Sequence, residues 1–120
     1  MSDDLNTLER AVIMQICKGN NQECPSLEQH VALLQVKSRD NTGVGLYVNF
    51  EYILGGSKKV EFNLTDIALS VNKIVELDNL KNGLGFILDI SNGRINYLEF
   101  FTYGNELWDG SYNTFFFTGI

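Results

Sequence analysis

One histidine and two cysteines are all the imidazole and thiol chemistry that this chain of 120 residues carries. A Ser-His-Asp or Cys-His nucleophilic site needs its imidazole within hydrogen-bond reach of the nucleophile. The sole candidate, His30, stands one residue before the apolar Val31 in a helical segment, the place of a packed or surface side chain rather than of a base. Cys17 and Cys24 match neither a Cys-x-x-Cys redox motif nor half of a zinc site, and two cysteines are too few for a secreted disulfide framework. They read as free structural thiols of a reducing compartment, and no metal or other cofactor is expected.

Cations are also short. Nine Lys and Arg stand against fifteen Asp and Glu, giving a formal charge of -6 and a pI near 4.6. Such a field repels nucleic acid at long range, which argues against direct nucleic-acid binding. No apolar run reaches the roughly 18 residues that span a bilayer, and Met1-Ser2-Asp3-Asp4-Leu5 is acidic where a secretory leader is basic and then apolar. A cytoplasmic protein without membrane contact is the expectation.

What is present suits one domain over 1–120: a hydrophobic content of 44% supports one self-sufficient core. The expected division is helical over 3–36 and mainly β over 37–120. Leu5, Leu8, Val12 and Ile16 recur at spacings of three and four, which places one apolar stripe on a helix and turns Glu9, Arg10, Gln15 and Lys18 away from it. Gly19 is positioned to end that helix in a left-handed conformation. A second helix is expected from Ser26, with a Ser26/Gln29 capping box and Leu27, Val31 and Leu34 as its stripe.

Beyond residue 36 the apolar period falls to two. Val44, Leu46, Val48, Phe50 and Tyr52 form one apolar face of a strand, Gly55-Gly56-Ser57 interrupts, and Val60, Phe62 and Leu64 suggest the return strand. Residues 66–80 are expected to form a strand followed by a loop, although Ile74, Leu77 and Leu80 would also fit one face of a helical turn. Asn92-Gly93 is a type I′ turn dipeptide. With these as the loop, Ile90 faces Ile95, Leu88 faces Tyr97 and Phe86 faces Glu99, which leaves Glu99 on an otherwise apolar face unless a bulge rotates it to solvent. A last strand over 112–117 ends in Phe115-Phe116-Phe117, of which at least one must face outward. Gly43-Val44-Gly45 and Gly83-Leu84-Gly85 each precede an apolar strand. Neither is a phosphate cradle, since Val48 and Leu88 stand at the third glycine site, so glycine-enabled bulges or close backbone approach at the strand starts are the expected uses. Helices segregated from strands along the chain give an α+β class, two N-terminal helices packed on a mostly antiparallel sheet.

Two carboxylates flanking a substrate could hydrolyse it, and Glu99 with Glu106 is the best pair available. Aromatics are the larger signal: Tyr97, Phe100, Phe101, Tyr103, Trp108, Tyr112 and Phe115 to Phe117 fall within 95–120 together with Glu99, Glu106 and Asp109 and without a Lys or Arg. Exposed rings among acids fit a hot spot for a basic protein partner, with Glu99, Tyr103, Glu106, Trp108, Asp109 and Tyr112 as contact residues. Alternatively Trp108 folds back over the sheet and anchors the loop at 102–110.

The segment Ser38-Arg39-Asp40-Asn41-Thr42-Gly43-Val44-Gly45-Leu46-Tyr47 resembles a group of small bacterial proteins. So does the later run through Gly83-Leu84-Gly85-Phe86 and Leu98-Glu99-Phe100-Phe101-Thr102-Tyr103-Gly104 to Trp108. Small acidic proteins of this kind are similar to the immunity proteins encoded beside contact-dependent growth inhibition toxins. That resemblance implies a helix pair on a sheet and a non-enzymatic role: blockade of a cognate toxin domain, a basic nuclease, by protein–protein interaction. The rival expectation is a small hydrolase or ligand-binding domain with a pocket formed by Glu99, Tyr97 and Tyr103.

Overall fold

A computed structural model of the chain describes residues 4–22, 24–53 and 66–120. Helix α1 (Thr7–Gly19) begins at Asn6, whose side chain accepts from the Glu9 amide at 2.8 Å while the Glu9 carboxylate accepts from the Asn6 amide at 3.0 Å. This reciprocal capping box satisfies amides that the helix itself leaves without partners. Leu8, Val12, Ile13, Ile16 and Cys17 form the buried stripe. Glu9, expected to face solvent, is only 1% exposed, because Arg39 reaches it from the sheet. Gly19 does not adopt the expected left-handed conformation but remains the last helical residue; a side chain there would run into Val71, so its use is close packing.

Helix α2 (Leu27–Val31) is shorter than expected. Ser26 stands at its N-cap without a side-chain cap bond, so the Ser26/Gln29 box does not form. Leu34 begins strand β1 (Leu34–Asn41) instead of continuing a helical stripe. The strand β2 (Gly45–Tyr52) needs an antiparallel neighbour, and pairing along it overrides the local helical spacing of Leu27, Val31 and Leu34.

The remaining strands are β3 (Ile67–Leu69), β4 (Lys73–Leu77), β5 (Leu84–Ser91), β6 (Arg94–Thr102) and β7 (Phe115–Gly119). The sheet order is β1-β2-β6-β5-β4-β7, with β3 also alongside β5, and every pairing is antiparallel. The class is α+β, as expected, with the sheet dominating. Ile74 and Leu77, expected in a loop or a helical turn, lie in β4, a second strand after the break at 70–72. The return strand expected at Val60 to Leu64 and the preceding Gly55-Gly56-Ser57 fall outside the described residues.

Both helices cover one face of the sheet. That face carries Leu46, Val48 and Phe50 of β2, Leu84, Phe86, Leu88 and Ile90 of β5, and Leu98 and Phe100 of β6, all buried. Arg39 of β1 bonds Glu9 of α1, Lys73 of β4 donates to Gln15 of α1 at 3.0 Å, and Tyr52 of β2 shares a 2.8 Å hydrogen bond with His30 of α2. Among the described residues no helix is long and apolar enough to cross a membrane.

The β5–β6 hairpin decides which side chains reach the opposite face. Asn92 and Gly93 have positive φ, 53° and 74°, as a type I′ turn requires, and Ile90 pairs with Ile95 as expected. Beyond that pair the register differs from the expected one. Asn96 is an extra residue, so Asp89 pairs with Tyr97, Leu88 with Leu98, Ile87 with Glu99 and Phe86 with Phe100. Because side chains alternate, one bulged residue transfers every later side chain of β6 to the other face. Leu98 and Phe100 enter the core and Glu99 leaves it. Hydrophobic burial favours this register, since the unbulged one would place Glu99 against the apolar row of β5.

Candidate functional site

The face away from the helices is built by the strands alone. Across its centre the register rows run Tyr47–Glu99–Ile87, Asn49–Tyr97–Asp89 and Gly45–Phe101–Gly85, contributed by β2, β6 and β5 in turn. Asp40 of β1 continues the first row beside Tyr47, and Ser38 continues the second beside Asn49. On the other flank Glu76 of β4 pairs with Phe116 of β7, which is 62% exposed, the outward ring expected of the Phe triplet. No helix among the described residues packs on this face.

Its rings are organised. Tyr47 and Tyr97 meet edge to face at 5.2 Å, and Phe101 and Tyr103 do so at 5.7 Å. Phe101 lies between two glycines, Gly45 and Gly85, and a Cβ on Gly85 would strike the Phe101 ring and crowd the Tyr103 hydroxyl. The two Gly-x-Gly segments thus converge on one residue: their second glycines flank Phe101 from either neighbouring strand, Gly45 against backbone and Gly85 against the ring, and their first, Gly43 and Gly83, turn the chain at φ 88° and 78°. Close backbone approach, one of the uses expected of them, is found at Gly45, whereas Gly85 makes room for the Phe101 ring.

The carboxylates here are oriented by neutral donors. Asn49 donates to Asp40 at 2.8 Å, Ser91 and Asn96 donate to Asp89 at 2.8 and 3.3 Å, and Thr118 donates to Glu76 at 3.4 Å. Among the described residues, Arg39 and Lys73 bond to α1 and Arg94 lies over the Tyr52 ring at 5.1 Å. The central rows themselves carry negative charge without a Lys or Arg of their own. Its effect is felt by the phenols: the Glu99 carboxylate, then burial, push the Tyr47 hydroxyl above its ordinary pKa, while Tyr97 is raised by burial first and then by Asp89, Glu99 and Tyr47.

The six residues expected to contact a partner separate into two groups. Glu99 and Tyr103 belong to the open face. Glu106 instead accepts from the Lys81 and Asn82 amides at 2.6 and 3.1 Å and ties the loop to the β4–β5 connection, so it does not form a two-carboxylate site with Glu99. Trp108 is 4% exposed, packs edge to face on Phe100 at 6.0 Å and donates from Nε1 to the Ser111 carbonyl at 2.8 Å, which is the loop-anchor arrangement. Asp109 accepts from the Ser111 hydroxyl and amide, bonds that hold its carboxyl below the usual range. Tyr112 accepts from the Leu8 amide at 3.3 Å and packs on Phe115. Tyr47, Asp89 and Phe101 were not among the expected site residues; the signal that finds them is the register of β6 after Asn96.

An open groove of about 800 Å³ lies beside the loop, lined by Asn41, Gly43, Asn79, Leu107, Trp108 and Asp109. Its polar lining is engaged internally: Asn41 accepts from the Gly43 amide, Asn79 donates to Ser111 and Asp109 holds Ser111. Glu99, Tyr97 and Tyr103 take no part in it. Among the described residues no group of three or more His, Cys, Asp or Glu could hold a metal ion. Both cysteines are buried, and burial, with the Glu28 charge, pushes the Cys17 thiol up to about 11, which keeps it protonated and unreactive near neutral pH. Comparison with protein families, curated proteins and solved structures finds no match to this chain.

Proposed function

We propose that this chain is a cytoplasmic binding protein that neutralises a basic toxin domain, in the manner of the immunity proteins of contact-dependent growth inhibition, and that the open sheet face is the surface it uses. The observation that carries the reading is the juxtaposition on that face of Tyr47, Tyr97, Phe101 and Tyr103 with Asp40, Asp89 and Glu99. Aromatic side chains supply the buried contacts of protein interfaces, and uncompensated charge of one sign selects a partner of the other. A nuclease carries a basic cleft because it must hold phosphates, so an acidic face competes for the same cleft and blocks substrate without chemistry of its own. The resemblance of the segments at 38–47 and 80–108 to small bacterial immunity proteins supports the same reading. Among the described residues the open groove beside the loop does not include Glu99, Tyr97 or Tyr103, which favours this over a hydrolytic or small-ligand pocket around Glu99.

The test uses the toxin domain encoded in the adjacent reading frame, with growth rescue and binding as readouts. Glu99→Lys and Tyr97→Ala should each weaken binding by at least about tenfold, equivalent to 1.4 kcal/mol. Glu28→Lys, on the exposed side of α2, should leave affinity within error. Wild-type affinity in both open-face variants would remove the face from the interface, and failure of the wild type to rescue growth would reject the toxin as partner.

A further inference from the structure

The sheet ends in two edges of opposite character. At one, β1 is interrupted by the bulge at Lys37 and carries Lys37, Arg39 and Asp40 among its exposed residues. Charges and bulges of this kind keep an edge from pairing with another strand. At the other, β7 carries no such guard of its own and pairs among the described residues with β4 alone: from Phe115 to Ile120 the chain is Phe-Phe-Phe-Thr-Gly-Ile, without a charged side chain or a proline, and Phe116 and Ile120 are 62% and 80% exposed.

The direction of the β7 amides follows from one bond. The Ile120 amide donates to the Asn72 carbonyl at 3.2 Å, which continues the register in which Thr118 pairs with Ile74 and Phe116 with Glu76. Backbone groups alternate along a strand, so Phe116 and Thr118 also direct theirs at β4, while Phe115, Phe117 and Gly119 direct N–H and C=O away from the sheet. These three outward residues are symmetric about Phe117.

We infer that the β7 edge pairs with β7 of a second copy of this chain, antiparallel, about a two-fold axis at Phe117. In that register Phe117 faces Phe117 of the second copy and Phe115 faces its Gly119, each pair exchanging both main-chain hydrogen bonds. On the open face the exposed Phe116 ring lies against Thr118 of the second copy. An identical strand is the occupant that meets all three outward residues with its own three and adds no charge to an uncharged seam. The net charge of each molecule does not oppose this locally. Glu76 and its symmetry mate are three strand spacings apart, roughly 14 Å, beyond the ~8 Å Debye length at physiological ionic strength. Pairing uses up both β7 edges and leaves the guarded β1 edges outside, so association stops at two copies, with one continuous sheet and both open faces on the same side.

Sedimentation equilibrium of the full chain across its soluble concentration range tests this, with circular dichroism to confirm folding. The wild type should reach a dimer and go no further. Gly119→Pro removes an outward donor while leaving the bonds to β4, and its Cβ position meets open space; it should raise the dimer dissociation constant at least tenfold. Phe116 and Thr118 of opposite copies form a non-hydrogen-bonded pair with Cα atoms about 4.5 Å apart, within disulfide range. The folded double variant Phe116→Cys with Thr118→Cys should therefore cross-link to a covalent dimer on oxidation. A wild type that stays monomeric throughout, association that continues past two copies, or a dimer that is insensitive to Gly119→Pro and gives no cross-link through 116 and 118 would overturn the inference.

Discussion

Glu9 and Arg39 join the first helix to the edge of the sheet through two charge-assisted hydrogen bonds, 2.7 and 2.9 Å long, although Glu9 is almost wholly buried and Arg39 is partly open to solvent. Arg39 also donates to the Asp4 carbonyl at 2.7 Å, and Glu9 accepts from Asn6, so one carboxylate serves as helix cap and as ion-pair partner. Arg39→Ala would leave that carboxylate buried without its cation. The expected loss is about 2 kcal/mol, below the range for a fully buried pair because Arg39 is itself accessible. Urea unfolding measures it, and an unchanged midpoint would show the pair to be dispensable.

Trp108→Ala should cost about 3 to 5 kcal/mol, since it empties a core site against Phe100 and frees the loop held by the Ser111 carbonyl. Thermal unfolding reports this. A variant of native stability that lost only partner affinity would instead make Trp108 a contact residue.

Replacing Gly93 with Val forces a β-branched residue to positive φ and should destabilise by roughly 1 to 3 kcal/mol. The measured quantity is the urea midpoint, which a misassigned turn would leave unmoved.

Gly85→Ala should displace the Phe101 ring from its slot and lower stability by about 1 to 3 kcal/mol, the usual cost of overpacking. Aromatic resonances of Phe101 and Tyr103 should shift together. Shifts confined to the backbone near position 85 would mean that the ring does not rest there.

The phenol of Tyr47 should titrate above an ordinary tyrosine in an alkaline absorbance titration, and Glu99→Gln should bring it down, because the carboxylate opposes a second negative charge. The sign for stability follows. A folded-state pKa raised above the unfolded value gives a contribution that is complete below the unfolded pKa and is lost as pH rises through the folded one. Alkaline unfolding should therefore begin later in Glu99→Gln than in the wild type, and coincident curves would sever Tyr47 from Glu99.

The α+β class, the strand at 45–52 and the Asn92-Gly93 turn were legible because each rests on a local signal: segregated periods, strict alternation, and a dipeptide that tolerates positive φ. The burial of Glu9 was not legible, since its cause lies thirty residues away in Arg39. Leu34 shows the same limit from the other side: a helical spacing from Leu27 and Val31 lost to strand pairing with Tyr52. Glu99 and Tyr103, expected among the partner contacts, lie on the face opposite the helices. The surface they share with Tyr47 and Phe101 depends on Asn96, an ordinary polar residue with no signature of a bulge.

That bulge makes counting in the hairpin more consequential than chemistry. A substitution at Asn96 alters one side chain, and its deletion would merely close the bulge: Tyr97 would follow Ile95 directly in the row of Asp89, leaving Leu98 and Phe100 in the core and Glu99 and Phe101 on the opposite face. Removing both Ile95 and Asn96 would instead set Tyr97 opposite Ile90 and exchange the two faces of β6. At residues 95 and 96, then, variants of this chain should tolerate the loss of one residue and lose the fold or exchange its two surfaces on losing two.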